Sequence, residues 1–126
     1  MKLLKLSPRI GRKSITVLGL SVMLAFPLNS FAFSCNGTIA HLGIDGEGRV
    51  YVSLTNSTAV HSICSVVTQG NFAMPVPVCK AAYASLVAAR LTEKSMVLYY
   101  GDSAFACASI PNWGQMPSAY YVEGPY

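Results

Sequence analysis

Charged residues are scarce in this chain, with nine Lys or Arg and five Asp or Glu among 126 residues. Five of the nine basic residues lie within the first 14 positions, so residues 33–126 carry a net charge of about −1 when histidine is neutral. A nucleic-acid partner requires a basic surface that neutralises phosphates. The composition after residue 32 therefore argues against a nucleic-acid partner.

The sequence also has little that is typical of a catalytic or metal centre. It contains two histidines, His41 and His61, no Cys-x-x-Cys pair and no nucleophile-elbow motif. His61 precedes Ser62, but adjacent strand residues point to opposite faces, which argues against a serine–histidine pair. We interpret both histidines as surface or loop residues and residues 45–48 as a hairpin turn rather than a calcium loop. We expect the protein to have no enzymatic activity and to bind no metal or cofactor.

The apolar run after the basic segment is too short to cross a membrane. It covers residues 15–28, fewer than the roughly 20 that span a bilayer, and Pro27 interrupts it. With small residues at Ser30 and Ala32, the pattern is that of a Sec-type signal peptide cut before Phe33. We predict a leader over residues 1–32, one mature domain over 33–126, no membrane span after processing, and a periplasmic or extracellular location. A retained membrane anchor is the alternative.

Four cysteines follow the predicted cleavage site. In an oxidising compartment an even number predicts two disulfides, each contributing roughly 2–4 kcal/mol to a domain that is small for a single core. Four cysteines allow three pairings. We favour Cys64 with Cys79, which ties the third strand to the start of the helix, and this leaves Cys35 to pair with Cys107. The alternative joins Cys64 to Cys107.

Hydrophobic periodicity predicts a β-rich domain with one helix. The predicted strands are residues 38–44, 49–54, 62–67, 95–100 and 104–110, with a further edge strand allowed near 119–122. The helix runs from after Pro77 to about Glu93, with an apolar stripe at Val78, Ala82, Leu86 and Ala89. The fold class is α+β and β-dominated. The element order is that of a five-stranded OB-like (oligonucleotide/oligosaccharide-binding) Greek-key barrel with its helix between strands three and four. A small open α+β sheet is the alternative.

The helix end and the strand after it, LTEKSMVLYYGD at residues 91–102, resemble the B subunits of cholera-type enterotoxins. In that family a helix ends in a similar Leu-Thr-Glu run and passes into a strand of a pentamer-forming OB barrel. The resemblance lies mainly in residues 91–110, and the B subunits of pertussis and subtilase toxins are looser matches. It implies an OB-like barrel and a ring-forming subunit, in which the family's sugar-stacking tryptophan would fall near Tyr100.

Aromatic residues are the best candidates for a binding surface, because their rings bury apolar area while their polar atoms find partners. Tyr99 and Tyr100 are adjacent on a predicted strand, so one of them should face outward. Asp102 supplies acceptors for sugar hydroxyl groups, and Trp113 lies in a loop, where binding residues are common. The predicted ligand-binding residues are Tyr100, Asp102, Trp113 and Tyr121.

These features predict a secreted or periplasmic binding module that recognises a glycan or another protein and catalyses no reaction. The resemblance adds a homo-oligomeric ring component as one form of this function. The alternative is a small inhibitor or accessory protein of an extracytoplasmic enzyme, which would use the proline-rich loop 68–77 as a rigid plug. A hydrolase with an atypical site is a third hypothesis.

Overall fold

The structure, a computed structural model, describes residues 32–102 and 104–126. Its elements are, in chain order, β1 (Phe33–Ile44), β2 (Arg49–Leu54), β3 (His61–Ser65), α1 (Val76–Thr92), β4 (Ser95–Tyr100), a 3-10 turn (Cys107–Ser109) and β5 (Ala119–Glu123). No helix in this part of the chain is long and apolar enough to cross a membrane. Apart from Ala32, the predicted leader lies outside the described residues, so cleavage before Phe33 stays a prediction.

The strands form an antiparallel sheet in the order β3-β2-β1-β4-β5. The long strand β1 pairs with β4 through residues 33–38 and with β2 through residues 39–44, and the register shifts between Ile39 and His41. A bulge therefore lies where β1 passes from one partner to the other. An isolated parallel bridge joins His61 to Gly114, but the ladder of strands stays open. The β-dominated α+β class is confirmed.

The turn at residues 45–48 joins β1 to β2 as predicted. The Asp45 Oδ1 atom accepts hydrogen bonds from the backbone N–H groups of Glu47 and Arg49, each at 2.9 Å. Gly48 has a φ of +81°, and a Cβ atom there would lie 2.5 Å from the Val67 side chain. Glycine is required at this position because both the backbone conformation and the contact exclude a side chain.

Helix α1 begins at Val76, two residues earlier in the proline-rich segment than the sequence predicts. Pro75 precedes the first helical residue and Pro77 lies within the first turn, where its missing N–H group costs no helical hydrogen bond. The loop that could act as a plug is shortened accordingly. The buried stripe is Cys79, Ala82, Leu86 and Ala89. Val78, predicted to be part of it, is 48% exposed.

Residues 104–110 do not form the predicted fifth strand. This segment contains the 3-10 turn, and β5 instead occupies Ala119–Glu123, where only an extra edge strand was considered. The Ser109 hydroxyl group accepts a hydrogen bond from the Ala106 N–H at 2.8 Å. Such a local bond competes with strand pairing, and alanine has a low preference for strands.

Both favoured disulfides are present, Cys35–Cys107 and Cys64–Cys79. The first ties β1 to the 3-10 turn, and the second ties β3 to the start of α1. The described cysteines are all paired. The core lies between the inner face of the sheet and α1, and its largest fully buried side chains include Tyr100, Leu54, Ile63, Met74, Leu86, Met96 and Leu98.

Candidate functional site: an aromatic groove beside Trp113

Hydrogen bonds hold the loop that precedes β5 against the start of β3. The Trp113 N–H donates to the Val60 carbonyl oxygen, and the Ser62 N–H donates to the Gly114 carbonyl oxygen at 2.8 Å. The Ser62 hydroxyl group donates to the same Gly114 oxygen at 3.2 Å. These bonds determine where the Trp113 backbone lies on the outer face of the sheet.

The Trp113 backbone is held in the left-handed region, with a φ of +61°. For a residue with a side chain this conformation costs roughly 1–2 kcal/mol, so the surrounding contacts must hold it in place. The indole ring is nevertheless 59% exposed. A large ring that is held by a strained backbone and still faces solvent is a candidate for ligand binding.

Two further rings stand against Trp113. The His41 ring centroid lies 5.8 Å from that of Trp113, with an angle of 80° between the rings. The Tyr51 centroid lies 5.4 Å away, with an angle of 55°. His41 comes from β1 and Tyr51 from β2, and both side chains point away from the core because their strand neighbours Leu42 and Val52 point toward it. The three rings pack together in different planes on the outer face of the sheet.

A groove of about 340 Å³ opens beside these rings. Gly43, which pairs directly with Tyr51, leaves space on the same face of the sheet. A Cβ atom at Gly43 would meet the His41 Nε2 atom at an ordinary distance of 3.5 Å. The groove therefore exists because this strand position lacks a side chain. Its lining consists of His41, Gly43, Ile44, Asp45, Tyr51 and Trp113.

The charged rim of the groove belongs to the β1–β2 turn. The Asp45 Oδ2 atom accepts from the Arg49 Nε atom at 2.7 Å, and the Glu47 Oε2 atom lies 3.1 Å from an Arg49 terminal nitrogen. Partial desolvation raises the pKa of the Asp45 carboxyl group, but hydrogen bonds from Arg49 and Glu47 outweigh it and hold this pKa below its usual value. The three side chains together carry one net negative charge.

A larger cavity of about 530 Å³ lies between β1 and the end of α1. Its lining contains no aromatic ring, and the guanidinium group of Arg90 at its wall donates to the Ile39 carbonyl oxygen. Specific ligand sites usually combine apolar or aromatic walls with a few polar groups. The smaller groove beside Trp113 has that combination, so we take it as the candidate site.

The prediction that either Tyr99 or Tyr100 faces outward is confirmed, but Tyr100 is the inner one. Tyr100 is fully buried, its ring stacks on Phe33 with centroids 4.8 Å apart, and its hydroxyl group lies 2.7 Å from the His61 Nε2 atom. The prediction of Tyr100 as an exposed ligand-binding ring is wrong. The register of β4 against β1 turns this ring into the core.

The interpretation of His61 as a surface or loop residue is also wrong. His61 lies on β3 and is fully buried. Its Nδ1 atom lies 2.8 Å from the Ala59 carbonyl oxygen, which can only accept, so Nδ1 carries the proton and Nε2 accepts from the Tyr100 hydroxyl group. Burial lowers the pKa of His61, although the Ala59 carbonyl acts in the opposite direction.

The other predicted site residues line different cavities. Asp102 accepts from the Ala104 N–H at 2.8 Å and lines a cleft with Asn71, Met116 and Ser118. Tyr121 is 51% exposed on β5 and borders α1. Trp113 alone of the four predicted residues lies in the groove. The ligand-binding roles of Asp102, Trp113 and Tyr121 stay predictions.

Tyr121 belongs to a tyrosine patch on the outer side of β4 and β5. Its ring centroid lies 5.4 Å from that of Tyr99, and the Tyr99 hydroxyl group donates to the Glu123 carboxylate at 2.7 Å. A hydrogen bond to the same carboxylate raises the pKa of Tyr126 to about 12. The hydroxyl groups of Tyr99 and Tyr126 and the Glu123 carboxylate therefore satisfy one another.

Sequence reasoning missed His41 and Tyr51 as members of the site. Tyr51 shares the polar face of β2 with Arg49, and Gly43 leaves a position of β1 without a side chain, so Tyr51 and Gly43 carried a signal whereas His41 did not. A single sequence does not reveal that these residues lie beside Trp113, because that proximity depends on the loop before β5.

The arrangement of the histidines limits the chemistry available at these positions. Both ring nitrogens of His61 are engaged by Ala59 and Tyr100, and the Ser62 hydroxyl group donates to Gly114 instead. Within residues 32–102 and 104–126, no group of three or more His, Cys, Asp or Glu side chains is placed to hold a metal ion.

Comparison of the chain with known protein families, curated proteins and solved structures found no match.

Proposed function

We propose that this protein is an exported, non-enzymatic binding module that recognises a glycan through the groove beside Trp113. The observation that carries the proposal is the Trp113 ring, which a strained and hydrogen-bonded backbone holds against His41 and Tyr51 while most of its surface stays exposed. Pre-positioned aromatic rings lose little conformational freedom when a ligand packs on them. The apolar face of a sugar ring suits such a surface.

The architecture supports an OB-like barrel as the scaffold of this module. The divided pairing of β1 with β2 and β4, the helix between β3 and β4, and the His61–Gly114 bridge are all expected for a barrel of this type. In OB folds, ligands bind on the face of strands two and three beside the loops that precede strands two and five. The groove lies beside the β1–β2 turn and the loop before β5, on the face of β1 and β2.

An oxidising location supports the same function. Two disulfides in a small domain are typical of proteins that work outside the cytoplasm. The two disulfides stabilise a domain whose core is small. A stable fold in turn keeps the rings of the groove in position. We therefore place the binding event in the periplasm or outside the cell.

A glycan array compares the wild-type protein with two variants of Trp113. Trp113→Asn removes the ring but keeps a residue that tolerates the left-handed conformation. Trp113→Phe keeps an aromatic face. Removal of a central aromatic contact commonly costs about 2 kcal/mol or more, so Trp113→Asn should weaken glycan binding about 30-fold, and Trp113→Phe should retain part of it.

The matched control is Leu91→Ala, which removes an apolar side chain that is 79% exposed at the end of α1, outside the groove lining. Near-UV circular dichroism establishes that each variant is folded. If Trp113→Asn binds every glycan as the wild type does, the proposal is wrong. Binding to protein partners alone, in a parallel pull-down, would favour the inhibitor or accessory function instead.

A further inference from the structure

We propose that the groove beside Trp113 holds the trimethylammonium group of a phosphocholine substituent, with the phosphate directed toward Arg49. This inference rests on the proposed binding function and specifies the chemical group that a glycan would present. Three features of the described residues carry it: the angles between the rings, the charges at the rim and the space above Gly43.

The lining of the groove includes three rings that lie in different planes. The His41 ring packs edge-on against Trp113 at 80° and the Tyr51 ring is tilted by 55°, so a rounded group in the groove meets more than one ring. Quaternary ammonium ions are recognised by such sets of rings, because the negative face of each ring attracts the positive charge.

The rim charges complement a zwitterion. Asp45 lines the groove, and with Glu47 and Arg49 it gives the turn one net negative charge. The carboxylates attract the ammonium group. Arg49 precedes Tyr51 by two residues on β2, so both side chains leave the same face of the sheet. Its guanidinium group lies next to Asp45, and beyond its contacts with Asp45 and Glu47 it keeps N–H groups that can donate to a phosphate beside the bound cation.

The space above Gly43 accommodates the ligand without a rearrangement of the backbone. The groove of about 340 Å³ contains no side chain from this position. Any side chain placed there would project from the outer face toward His41. A bulky residue at position 43 would therefore fill the site while leaving the core unchanged.

Trp113 is the single tryptophan of the chain, so its fluorescence reports directly on the groove. The protein is titrated with phosphocholine, choline, tetramethylammonium and 3,3-dimethylbutan-1-ol, the uncharged isostere of choline. We expect saturable changes with the three ligands that carry a quaternary ammonium group and a Kd in the millimolar range or below for phosphocholine. The uncharged isostere should bind about tenfold more weakly than choline, since it has the shape without the charge.

Two variants that keep Trp113 test the site itself. Gly43→Val fills the groove with a residue that strands favour, and Tyr51→Ala removes one ring. Each should weaken phosphocholine binding about tenfold or more, while Leu91→Ala should bind as the wild type does. Arg49→Gln should weaken phosphocholine binding more than tetramethylammonium binding, because only the former carries a phosphate.

Several outcomes would overturn the inference. Equal binding of choline and its uncharged isostere would show a merely apolar groove, and an unchanged titration of folded Gly43→Val would place the cation elsewhere. Tighter binding of a trimethyllysine peptide than of phosphocholine would assign the groove to a protein ligand. If no cation binds but Trp113→Asn still abolishes glycan binding on the array, the proposed function stands and this inference alone is wrong.

Discussion

The two faces of the sheet use the same kinds of side chain in opposite ways. On the inner face, His61 and Tyr100 are fully buried and hydrogen-bonded to each other. On the outer face, His41 and Tyr51 meet at Trp113 beside an open groove. The inner pair is buried and its polar atoms have partners within the protein, whereas the outer rings are beside solvent and leave room for a ligand.

This difference teaches how to separate structural from functional aromatic residues in a small domain. Residue type does not distinguish them, because both groups contain histidine and tyrosine. What distinguishes them is whether the surrounding chain completes their contacts. Substitutions on the inner face should therefore lower stability, and substitutions on the outer face should lower binding with little effect on stability.

The largest expected effect on the free energy of unfolding comes from removing a large side chain from the inner face. Tyr100→Ala removes a fully buried ring and the partner of His61, and truncation of such a ring costs about 3–5 kcal/mol. Trp113→Asn should change the free energy of unfolding by about 1 kcal/mol or less, because the ring is exposed. Urea denaturation of the oxidised proteins measures both. Similar losses in the two variants would remove the distinction between the faces.

The Cys64–Cys79 disulfide, which joins β3 to the start of α1, stabilises the packing on the inner face of the sheet. Replacing Cys64 and Cys79 together by alanine opens a link between residues 15 positions apart. Loop-closure entropy predicts a loss of about 3 kcal/mol in the free energy of unfolding. Denaturant titration of the double variant, compared with the wild type without reductant, gives this value. A loss no greater than that of Leu91→Ala would mean that core packing alone holds β3 to α1.

A smaller, pH-dependent effect follows from the buried histidine. Burial lowers the pKa of His61, so between its folded and its ordinary value near 6.5 the unfolded chain binds the proton and the folded chain does not. Stability from this group is complete above about pH 6.5 and falls as the solution is acidified, by at most about 1.4 kcal/mol per pH unit. Denaturant titrations between about pH 7 and pH 5 measure this slope.

His61→Gln should flatten the profile in that range, although the variant itself is less stable. The carboxyl groups of Asp45 and Glu123 also have lowered pKa values, but they contribute at more acidic pH because their ordinary values are 3.8 and 4.5. A slope that persists unchanged in His61→Gln would assign the dependence to another group.

Local pattern predicted much of the fold. Strand β2 and strand β4 have the predicted bounds, and the turn between β1 and β2 forms through the Asp45 side chain and Gly48. These features depend on alternation over a few residues and on short-range hydrogen bonds. The same reasoning failed at residues 104–110, because alanine and serine there favour a local turn and a disulfide holds Cys107 to β1.

The candidate site was predictable only in part. Trp113 stood out as a single tryptophan in a loop, and its position in the groove agrees with that reasoning. Tyr100 was assigned to the wrong face, since strand alternation separates two neighbours without indicating which one faces the core. His41 was overlooked because a lone histidine on a strand has no local signal of its neighbours.

By itself, the sequence determined the α+β class, the helix that follows the proline-rich segment, the even set of cysteines and the low charge after residue 32, because these depend on composition and on short-range periodicity. Only the tertiary structure decided which face of each strand is inner, that β5 lies at 119–123, and that Trp113 meets His41 and Tyr51. Those outcomes depend on the register of β4 against β1 and on the backbone hydrogen bonds between residues 60–62 and 113–114. Such bonds join residues that are distant along the chain, so no local pattern specifies them.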